Sequence, residues 1–329
     1  MCIRDRFSGE CNTITSDFAI IGGGDNNSIT AASGSILGGR FNILSGESGF
    51  IGGGDSNTAI AKHTVLVGGT LNTASGACSF IGGGLCNNIS SPTGYEIIVG
   101  GKSNSVTSDS EYSSIIGGLC HNICDASGAF IGNGFCNLIS DSTQAAIVSG
   151  CCNNIGGISS CSFIGGGLQN RIIDSLFSSI VGGTLNTASG ACNFIGGGEC
   201  NYISGSTSND QHIIIVGGQC NKVIGNKSSI VGGISNCITG SGNTDNAAGL
   251  SFIGNGQSNC ISGQKSFNSI VGGLLNRIAS TDNDDSQGCH FIGGGCGNII
   301  SGTTVGRSFI GADVITLLQL VSMLLLEEV

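Results

Sequence analysis

The segment Ser179–Gly190 reads Ser-Ile-Val-Gly-Gly-Thr-Leu-Asn-Thr-Ala-Ser-Gly, and variants of it recur along almost the whole chain. We call the position of Asn186 the slot and number other positions relative to it, so that Gly183 stands at position −3. Eighteen slots align, seventeen of them Asn and one His121, and successive slots lie fifteen to twenty-three residues apart. A short repeat of this kind is typical of a solenoid, in which each repeat forms one turn.

Two aliphatic positions in each repeat predict two strands per turn. Position −6 is Ile in sixteen of the seventeen complete repeats, with Leu66 the exception, and position +2 is aliphatic or Ala, as at Ile172 and Ala188. The short segments around both positions are rich in Ile, Val, Thr and Ser, which favours strands over a helix. We therefore predict an all-β fold, a parallel β-solenoid with two short strands in each turn of about fifteen residues.

A pair of glycines precedes the slot. Position −3 is Gly in every complete repeat, and position −4 is Gly in fourteen of them, with Asn133, Ser149 and Asn255 as the departures. Gly, followed by Asn, is the residue that best tolerates a positive φ. We expect this pair to form the tight corner between the two strands.

The slot itself predicts a ladder of side chains. In stacked turns the slot residues would lie about 4.8 Å apart, the spacing of hydrogen-bonded strands. An Asn amide both donates and accepts, so that each copy can bond to its neighbours above and below. We interpret the row as a structural ladder, with a row of ligand-binding side chains as the alternative. The predicted ladder comprises Asn27, Asn42, Asn57, Asn72, Asn87, Asn104, Asn137, Asn153, Asn170, Asn186, Asn201, Asn221, Asn236, Asn259, Asn276 and Asn298.

Positions −7 and −5 exchange volume with each other. Seven repeats have Phe at −7 and Gly at −5, whereas the others mostly have an aliphatic residue at −5, as in the pair Ser179 and Val181; Ile20 and Gly22 break the rule. The two positions share one strand face, and size exchange is expected where space is limited. A continuous apolar stripe on that face would mark an interface, so we predict packing against other copies of the chain. The interface candidates are Phe50, Phe80, Phe130, Phe163, Phe194, Phe252, Phe291, Val67, Val99, Val148, Val181, Val216, Val231 and Val271.

The composition excludes several classes of function. A net charge of −10 argues against binding to nucleic acid or to an anionic membrane surface. No nucleophile, base and orienting partner recur together, and the Gly triplets are corners rather than phosphate loops, so we predict no enzymatic activity and no cofactor. Asp282, Asp284 and Ser286 are spaced like the opening of a calcium loop, but Gln287 stands where that loop needs Gly, and we expect no metal site.

The seventeen cysteines are not spaced like zinc ligands. One set shares position −1, namely Cys11, Cys86, Cys120, Cys136, Cys152, Cys200 and Cys220, and another shares position −9, namely Cys78, Cys161, Cys192 and Cys289. In stacked turns the sets Cys120/Cys136/Cys152 and Cys200/Cys220 would lie within disulfide range. The alternative is a small apolar filler, and we favour it because Ser, Leu and Phe occupy the same position in other repeats.

The repeat defines the predicted domain as residues 7–311. Residues 1–6 resemble the translation of a common sequencing-library adapter, and we interpret them as a scar. Residues 312–329 are interpreted as a frameshifted tail, because a shifted reading frame permits codons that restore the repeat; the alternative is the start of a stalk or anchor. Their apolar run is too short for a membrane span.

Length changes occur only at the corner between the second strand and the next turn. Such insertions are where repeat proteins carry variable or binding surface. The long versions are Ser91–Glu96, Ser204–His212, Thr239–Ser251 and Ala279–His290.

The unit Ser-Phe-Ile-Gly-Gly-Gly-x-x-Asn-x-Ile-Ser-Gly, and Asn-Thr-Ala-Ser-Gly-Ala-Cys at residues 72–78 and 186–192, resemble the head repeats of trimeric autotransporter adhesins, which also occur in phage-type tail fibres. The resemblance covers residues 7–311. It implies a left-handed β-roll, a homotrimer, display on a cell surface or virion fibre, and attachment without catalysis.

The expected function is therefore that of a non-enzymatic surface or fibre adhesin segment, a rigid rod that binds a surface ligand through its inserted corners. The expected partners are other copies of the chain and that ligand, with any membrane anchor outside this sequence. The alternative is a purely structural spacer rod. An ice-binding solenoid is less consistent with the sequence, because it requires a flat face of repeated Thr and no position is Thr in most turns.

Overall fold

The structure is a computed structural model that describes residues 4–6, 9–205, 212–240, 250–263, 267–280, 289–302, 307–314 and 317–320. These residues form an all-β parallel β-solenoid of about 17 turns without a helix, which confirms the predicted architecture. Accordingly, no helix suited to crossing a membrane occurs among them. The chain divides into two compact units, Met1–Gly167 and Leu168–Val329. Each unit contains strands of two parallel sheets, which we call sheet A and sheet B.

In the first unit, strands of sheet A alternate along the chain with strands of sheet B. The sheet A strands are Arg4–Arg6 (β1), Ala19–Ile21 (β3), Ser35–Ile36 (β5), Phe50–Ile51 (β7), Val65–Leu66 (β9), Phe80–Ile81 (β11), Ile97–Ile98 (β13), Ser114–Ile115 (β15), Phe130–Ile131 (β17), Ala146–Ile147 (β19) and Phe163–Ile164 (β21). The sheet B strands are Thr13–Ile14 (β2), Ser28–Ile29 (β4), Ile43–Leu44 (β6), Thr58–Ala59 (β8), Thr73–Ala74 (β10), Asn88–Ile89 (β12), Ser105–Thr107 (β14), Asn122–Cys124 (β16), Leu138–Ser140 (β18) and Asn154–Gly156 (β20).

The second unit has the same alternation, with longer strands towards its end. Its sheet A strands are Ser179–Ile180 (β23), Phe194–Ile195 (β25), Ile214–Ile215 (β27), Ser229–Ile230 (β29), Phe252–Ile253 (β31), Phe267–Ile270 (β33), Cys289–Cys296 (β35) and Arg307–Val314 (β37). Its sheet B strands are Arg171–Ile173 (β22), Thr187–Ser189 (β24), Tyr202–Ser204 (β26), Lys222–Ile224 (β28), Cys237–Thr239 (β30), Cys260–Gly263 (β32), Arg277–Ser280 (β34), Ile299–Gly302 (β36) and Leu317–Leu320 (β38).

The core of each turn is built from the two aliphatic positions that the repeat keeps. In one turn, Ile36 at position −6 of sheet A and Leu44 at position +2 of sheet B are both 0% exposed. Because side chains alternate across a strand, burying these positions turns positions −7 and −5 of sheet A, and position +1 of sheet B, outwards. We call positions −7 and −5 together the outer column of sheet A, and position +1 the outer column of sheet B.

Within each unit, successive turns pair in register by repeat position. Ile36 pairs with Ile51, so that identical positions stack. The register survives the longest insertion, because Ile238 pairs with Ile261 across a step of 23 residues between slots. Inserted residues consequently leave the stacking of the slots and of the core unchanged.

The corner before the slot depends on one glycine rather than on two. Gly183 at position −3 has φ +91°, and a Cβ there would lie 2.2 Å from the carbonyl oxygen of Gly198 in the next turn. Gly182 at position −4 has no left-handed φ, and a Cβ there would meet nothing within 4 Å. A positive φ occurs in every turn at position −3, but at position −4 only in Gly53, Gly83 and Gly197, with φ of 156–159°. The open space at that position accounts for Asn133, Ser149 and Asn255.

A second left-handed residue follows in each turn, at position −1, where glycine is almost never used. Leu185 has φ 57° and Phe41 has φ 57°, a region that few non-glycine residues adopt. The backbone explains the conformation, because it reverses the direction of hydrogen bonding. Arg40 N donates to Gly54 O in the following turn, whereas Phe41 N donates to Asp25 O in the preceding turn.

Position −9 behaves in the same way at the other corner. His63 has φ 57°, and its N–H donates to Glu47 O in the preceding turn at 3.0 Å. The cysteines at position −1 and three of those at position −9, Cys78, Cys161 and Cys192, are thus left-handed corner residues, whereas Cys289 lies in strand β35.

Candidate functional site

The slot residues form a continuous ladder within each unit. The side-chain Oδ1 of one slot Asn accepts a hydrogen bond from the backbone N–H of the next slot residue, as from Asn57 to Asn42 at 3.1 Å and from Asn201 to Asn186 at 2.9 Å. The reversal at position −1 turns the N–H of the slot towards the preceding turn, where the amide oxygen meets it. Each rung of the ladder is therefore a hydrogen bond between the side chain of one slot residue and the main chain of the next.

The amide nitrogen of the slot closes the glycine corner. Asn186 Nδ2 donates to Gly182 O in its own turn at 3.1 Å and to Gly198 O in the next turn at 3.0 Å. Asn186 is 0% exposed, and its amide oxygen is bonded to Asn201. Buried backbone groups need partners of this kind, because leaving one unpaired costs about 1–3 kcal/mol. Both the nitrogen and the oxygen of such an amide are hydrogen-bonded within the solenoid. The geometry therefore favours the structural ladder over a row of ligand-binding side chains.

His121 occupies one slot of the first unit and reproduces half of the ladder. Its Nδ1 accepts a hydrogen bond from Asn137 N at 3.1 Å, and its own N–H donates to Asn104 Oδ1 at 3.0 Å. Its Nε2 has no hydrogen bond of normal geometry to the corner carbonyls that an Asn amide would reach. Burial lowers the pKa of this imidazole, because desolvation disfavours its charged form.

The Phe and Val residues of sheet A share one outer column. Phe50 leans over Gly52, whose Cβ, if present, would lie 3.4 Å from the ring and 2.4 Å from Val67 O in the next turn. Phe80 covers Gly82 in the same way, at 3.3 Å. Val67 at position −5 therefore stands in the turn between two rings that lean towards its column. At Gly52 the closest obstacle to a Cβ is the backbone of the next turn, and the Phe ring lies farther away over the space that the missing side chain leaves.

This outer column is accessible in the single chain. The seven Val interface candidates, Val67, Val99, Val148, Val181, Val216, Val231 and Val271, are 44–50% exposed. Among the Phe candidates, Phe163, Phe194 and Phe252 are 37–38% exposed, and Phe50, Phe80, Phe130 and Phe291 are half-buried. The outer column of sheet B is mostly polar by comparison, with Thr58, Thr73, Asn88, Ser105 and Asn122 in successive turns. The two sheets thus present surfaces of different chemistry.

Only the first of the four long corners lies wholly within the described residues. In Ser91–Glu96 the Glu96 side chain is buried, and its Oε1 accepts a hydrogen bond from Gly94 N at 2.8 Å. Its other oxygen, Oε2, has no hydrogen-bond partner. Sequence reasoning did not single out this carboxylate, although a signal was available: Glu96 stands at position −8, two residues before the buried position −6, and Ala19 and Thr64 at the same position are also buried.

The other long corners lie partly outside the described residues, at 206–211, 241–249 and 281–288, as do Asp282, Asp284 and Ser286. Across the described segments, no three His, Cys, Asp or Glu side chains are arranged to hold a metal ion.

The cysteines of the described segments are all free thiols. At position −1, burial and the neighbouring Cys120 raise the pKa of Cys136, and burial, Cys220 and Glu199 raise the pKa of Cys200. Sequence reasoning missed one further pair, Cys237 and Cys260. These two residues lie at position +1, outside the two cysteine sets at −1 and −9, and are in register on the outer column of sheet B. The signal was available, since the two residues each follow a slot Asn.

No protein-family model matches the chain, and no curated protein matches it either.

Proposed function

We propose that this chain is a non-enzymatic segment of an extracellular adhesin or virion fibre, and that it assembles as a homotrimer through the outer column of sheet A. The observation that carries the proposal is the accessible row of Val and Phe on that column, opposite in character to the polar column of sheet B. Contiguous apolar surface of this extent marks an interaction site in a water-exposed protein. Because the column repeats with every turn, its natural complement is an equally periodic surface, which another copy of the chain supplies.

The repeat also supports a mechanical role. Slot-to-slot hydrogen bonds keep lengths of 2.9–3.1 Å both in the first unit, as at Asn27 and Asn57, and in the second, as at Asn201 and Asn298. A chain with so uniform a ladder resists local opening, which suits a segment that holds a binding surface away from its anchor. Attachment would then reside in the long corners, because the core, the slot and the glycine corner are committed to the fold.

Sedimentation equilibrium of the purified chain at micromolar concentration tests the assembly. We expect the mass of a trimer, and a folded, soluble monomer would contradict the proposal. A second experiment separates adhesin from spacer. The corners at 239–251 and 279–290 are replaced by the short corner Ser189–Cys192, in which Ala191 is buried and Cys192 supplies the left-handed residue.

The replaced chain is compared with the native chain for attachment to target cells or surfaces. Loss of attachment, with the far-ultraviolet circular dichroism spectrum and the trimer mass unchanged, supports an adhesin that binds through these corners. Unchanged attachment to the same surface would favour a different binding region. A native chain that attaches to no surface, while still forming trimers, would favour the spacer rod.

A further inference from the structure

The outer column of sheet B carries a row of charged and thiol side chains in the second unit. Strands β28, β30, β32 and β34 place Lys222, Cys237, Cys260 and Arg277 in register at position +1. Adjacent strands lie about 4.8 Å apart, and in-register side chains of parallel strands point to the same face. Two neighbouring thiols are therefore flanked on both sides by cationic side chains.

The two thiols share their protons unequally. A hydrogen bond with Cys237, together with the charge of Arg277, lowers the pKa of Cys260 to about 7, although burial opposes the shift. The same hydrogen bond and burial raise the pKa of Cys237, with Lys222 opposing. Near neutral pH about half of the Cys260 side chains are thiolates, whereas Cys237 stays protonated. Both side chains are half-buried rather than enclosed.

The other stacked thiols of the same unit provide a contrast. Cys200 and Cys220 are also neighbours in successive turns, but burial, Cys220 and the carboxylate of Glu199 raise the pKa of Cys200. The thiolate is the nucleophile in thiol chemistry, and cationic neighbours favour it whereas anionic ones disfavour it. Of these two stacked pairs, only Cys237 and Cys260 have a cationic side chain on each side.

We propose that Cys237 and Cys260 form a dithiol that reacts with low-molecular-weight disulfides and closes into a disulfide between two successive turns of sheet B. The Cys260 thiolate attacks one sulfur of the small disulfide and expels its other half as a thiolate. Cys237 then loses its proton to solvent, and its thiolate attacks the Cys260 sulfur of the mixed disulfide, which releases the second half. The two protein thiols lose two electrons, and the small disulfide is reduced to two thiols.

The geometry suits this closure. The in-register spacing of about 4.8 Å falls within the range of about 4.4–6.8 Å between the Cα atoms of disulfide-bonded cysteines. Lys222 and Arg277 stabilise the anionic groups that form and leave during exchange. The bond would join β30 to β32, whose slots Asn236 and Asn259 lie 23 residues apart in sequence. It would therefore covalently link the two turns on either side of the longest insertion.

Glutathione disulfide is the probe for the test. The fully reduced native chain is incubated with it at pH 7, quenched with acid at intervals, alkylated and mapped by peptide mass spectrometry. We expect Cys260 to react about 5–10-fold faster than Cys200, because a thiolate fraction near one half outweighs the lower nucleophilicity of a less basic thiolate. The first cross-linked peptide should join Cys237 to Cys260.

Three variants test the separate steps. Cys237→Ser should accumulate a glutathione adduct on Cys260, since no second thiol resolves it, and Cys260→Ser should leave Cys237 unmodified over the same interval. The double variant Lys222→Gln/Arg277→Gln should slow the first step several-fold, with circular dichroism showing that the fold is kept.

The native chain alone can overturn the proposal, without any variant. If Cys260 and Cys200 react with glutathione disulfide at equal rates, Cys260 is not the more reactive thiol and the proposal fails. A persistent glutathione adduct on Cys260 in the native chain, without a link to Cys237, would remove the closure.

Discussion

The imidazole Nδ1 of His121 accepts a 3.1 Å hydrogen bond from the backbone N–H of Asn137, in the place that an Asn side-chain oxygen holds in the turns beside it. Only the neutral imidazole can accept this bond, because a protonated Nδ1 would set one N–H against another. His121 therefore makes one turn of the ladder sensitive to acid, whereas an Asn amide in the same place has no titration in the physiological range.

Changing His121 to Asn should stabilise the first unit and remove this sensitivity. The amide restores donors to the corner carbonyls, for a gain of about 1–2 kcal/mol. Burial lowers the pKa of His121 in the folded chain below its unfolded value of about 6.5. The stability that neutral His121 contributes is therefore present above about pH 6.5 and is lost as pH falls through the lowered pKa.

Thermal unfolding between pH 7.5 and pH 4.5 measures this effect, with the native chain and His121→Asn run in parallel. The other titrating groups are common to both chains, so the difference in melting temperature isolates His121. We expect the advantage of the variant to grow as the pH falls below 6.5. A difference that stays constant across the range would contradict the acceptor role.

Asn87 and Asn88 are adjacent in sequence but should differ widely in their effect on stability. Asn87 is buried, and its side chain bonds to Asn104 N at 3.0 Å, Gly83 O at 2.8 Å and Gly101 O at 3.0 Å. Asn87→Ala leaves these backbone groups unpaired and should cost about 3 kcal/mol or more. Asn88 points outwards, and Asn88→Ala should change stability by less than about 0.5 kcal/mol. Urea unfolding of the two variants makes the comparison, and similar midpoints would contradict the ladder.

Gly182 and Gly183 provide a second adjacent pair. Gly183→Ala forces a side chain onto φ +91° and places its Cβ 2.2 Å from Gly198 O, so we expect a loss of about 3 kcal/mol or more. Gly182→Ala adds a methyl group where nothing lies within 4 Å, and we expect a change of less than about 1 kcal/mol. Both variants are compared with the native chain by thermal unfolding. A Gly182→Ala loss as large as that of Gly183→Ala would show that both glycines serve the corner.

Much of the fold was predictable because the solenoid repeats its constraints. Ile at position −6 and Asn at the slot recur since each must fit the same residue in the next turn, and a period read from the sequence therefore gives two strands, an inner column and a buried ladder. The link between Phe50 and Gly52 was visible for the same reason, but its cause was not: a Cβ at Gly52 would lie 2.4 Å from Val67 O in the next turn and 3.4 Å from the ring.

The corners were less predictable, because their backbone conformation depends on hydrogen bonds to neighbouring turns rather than on the identity of the residue itself. Phe41 and Leu185 have no preference for a left-handed φ, yet the hydrogen bonds of the adjoining turns hold them there. At position −4 the sequence overstated the need for glycine, because Gly is frequent there although a Cβ at Gly182 would meet nothing within 4 Å. The pairing of Cys237 with Cys260 depends on a register across a long insertion, which the slots reveal only once they are stacked.

The final prediction concerns the outer column of sheet A. If Val67 and Val99 lie in an interface between chains, Val67→Thr/Val99→Thr should weaken the trimer, because each change removes on the order of 1 kcal/mol of apolar burial per chain. Thr keeps the β-branched shape, so the fold should be retained.

The matched control is Ile43→Thr/Ile60→Thr, which makes the same kind of change in β6 of sheet B and directly after β8, where these side chains are 46% and 48% exposed. Val67 and Val99 are 48% and 45% exposed in the single chain, so solvent exposure does not distinguish the two variants. Sedimentation equilibrium over a hundredfold range of concentration should show dissociation at higher concentration for the sheet A variant alone. Equal dissociation of both variants, or of neither, would mean that chains associate through another surface.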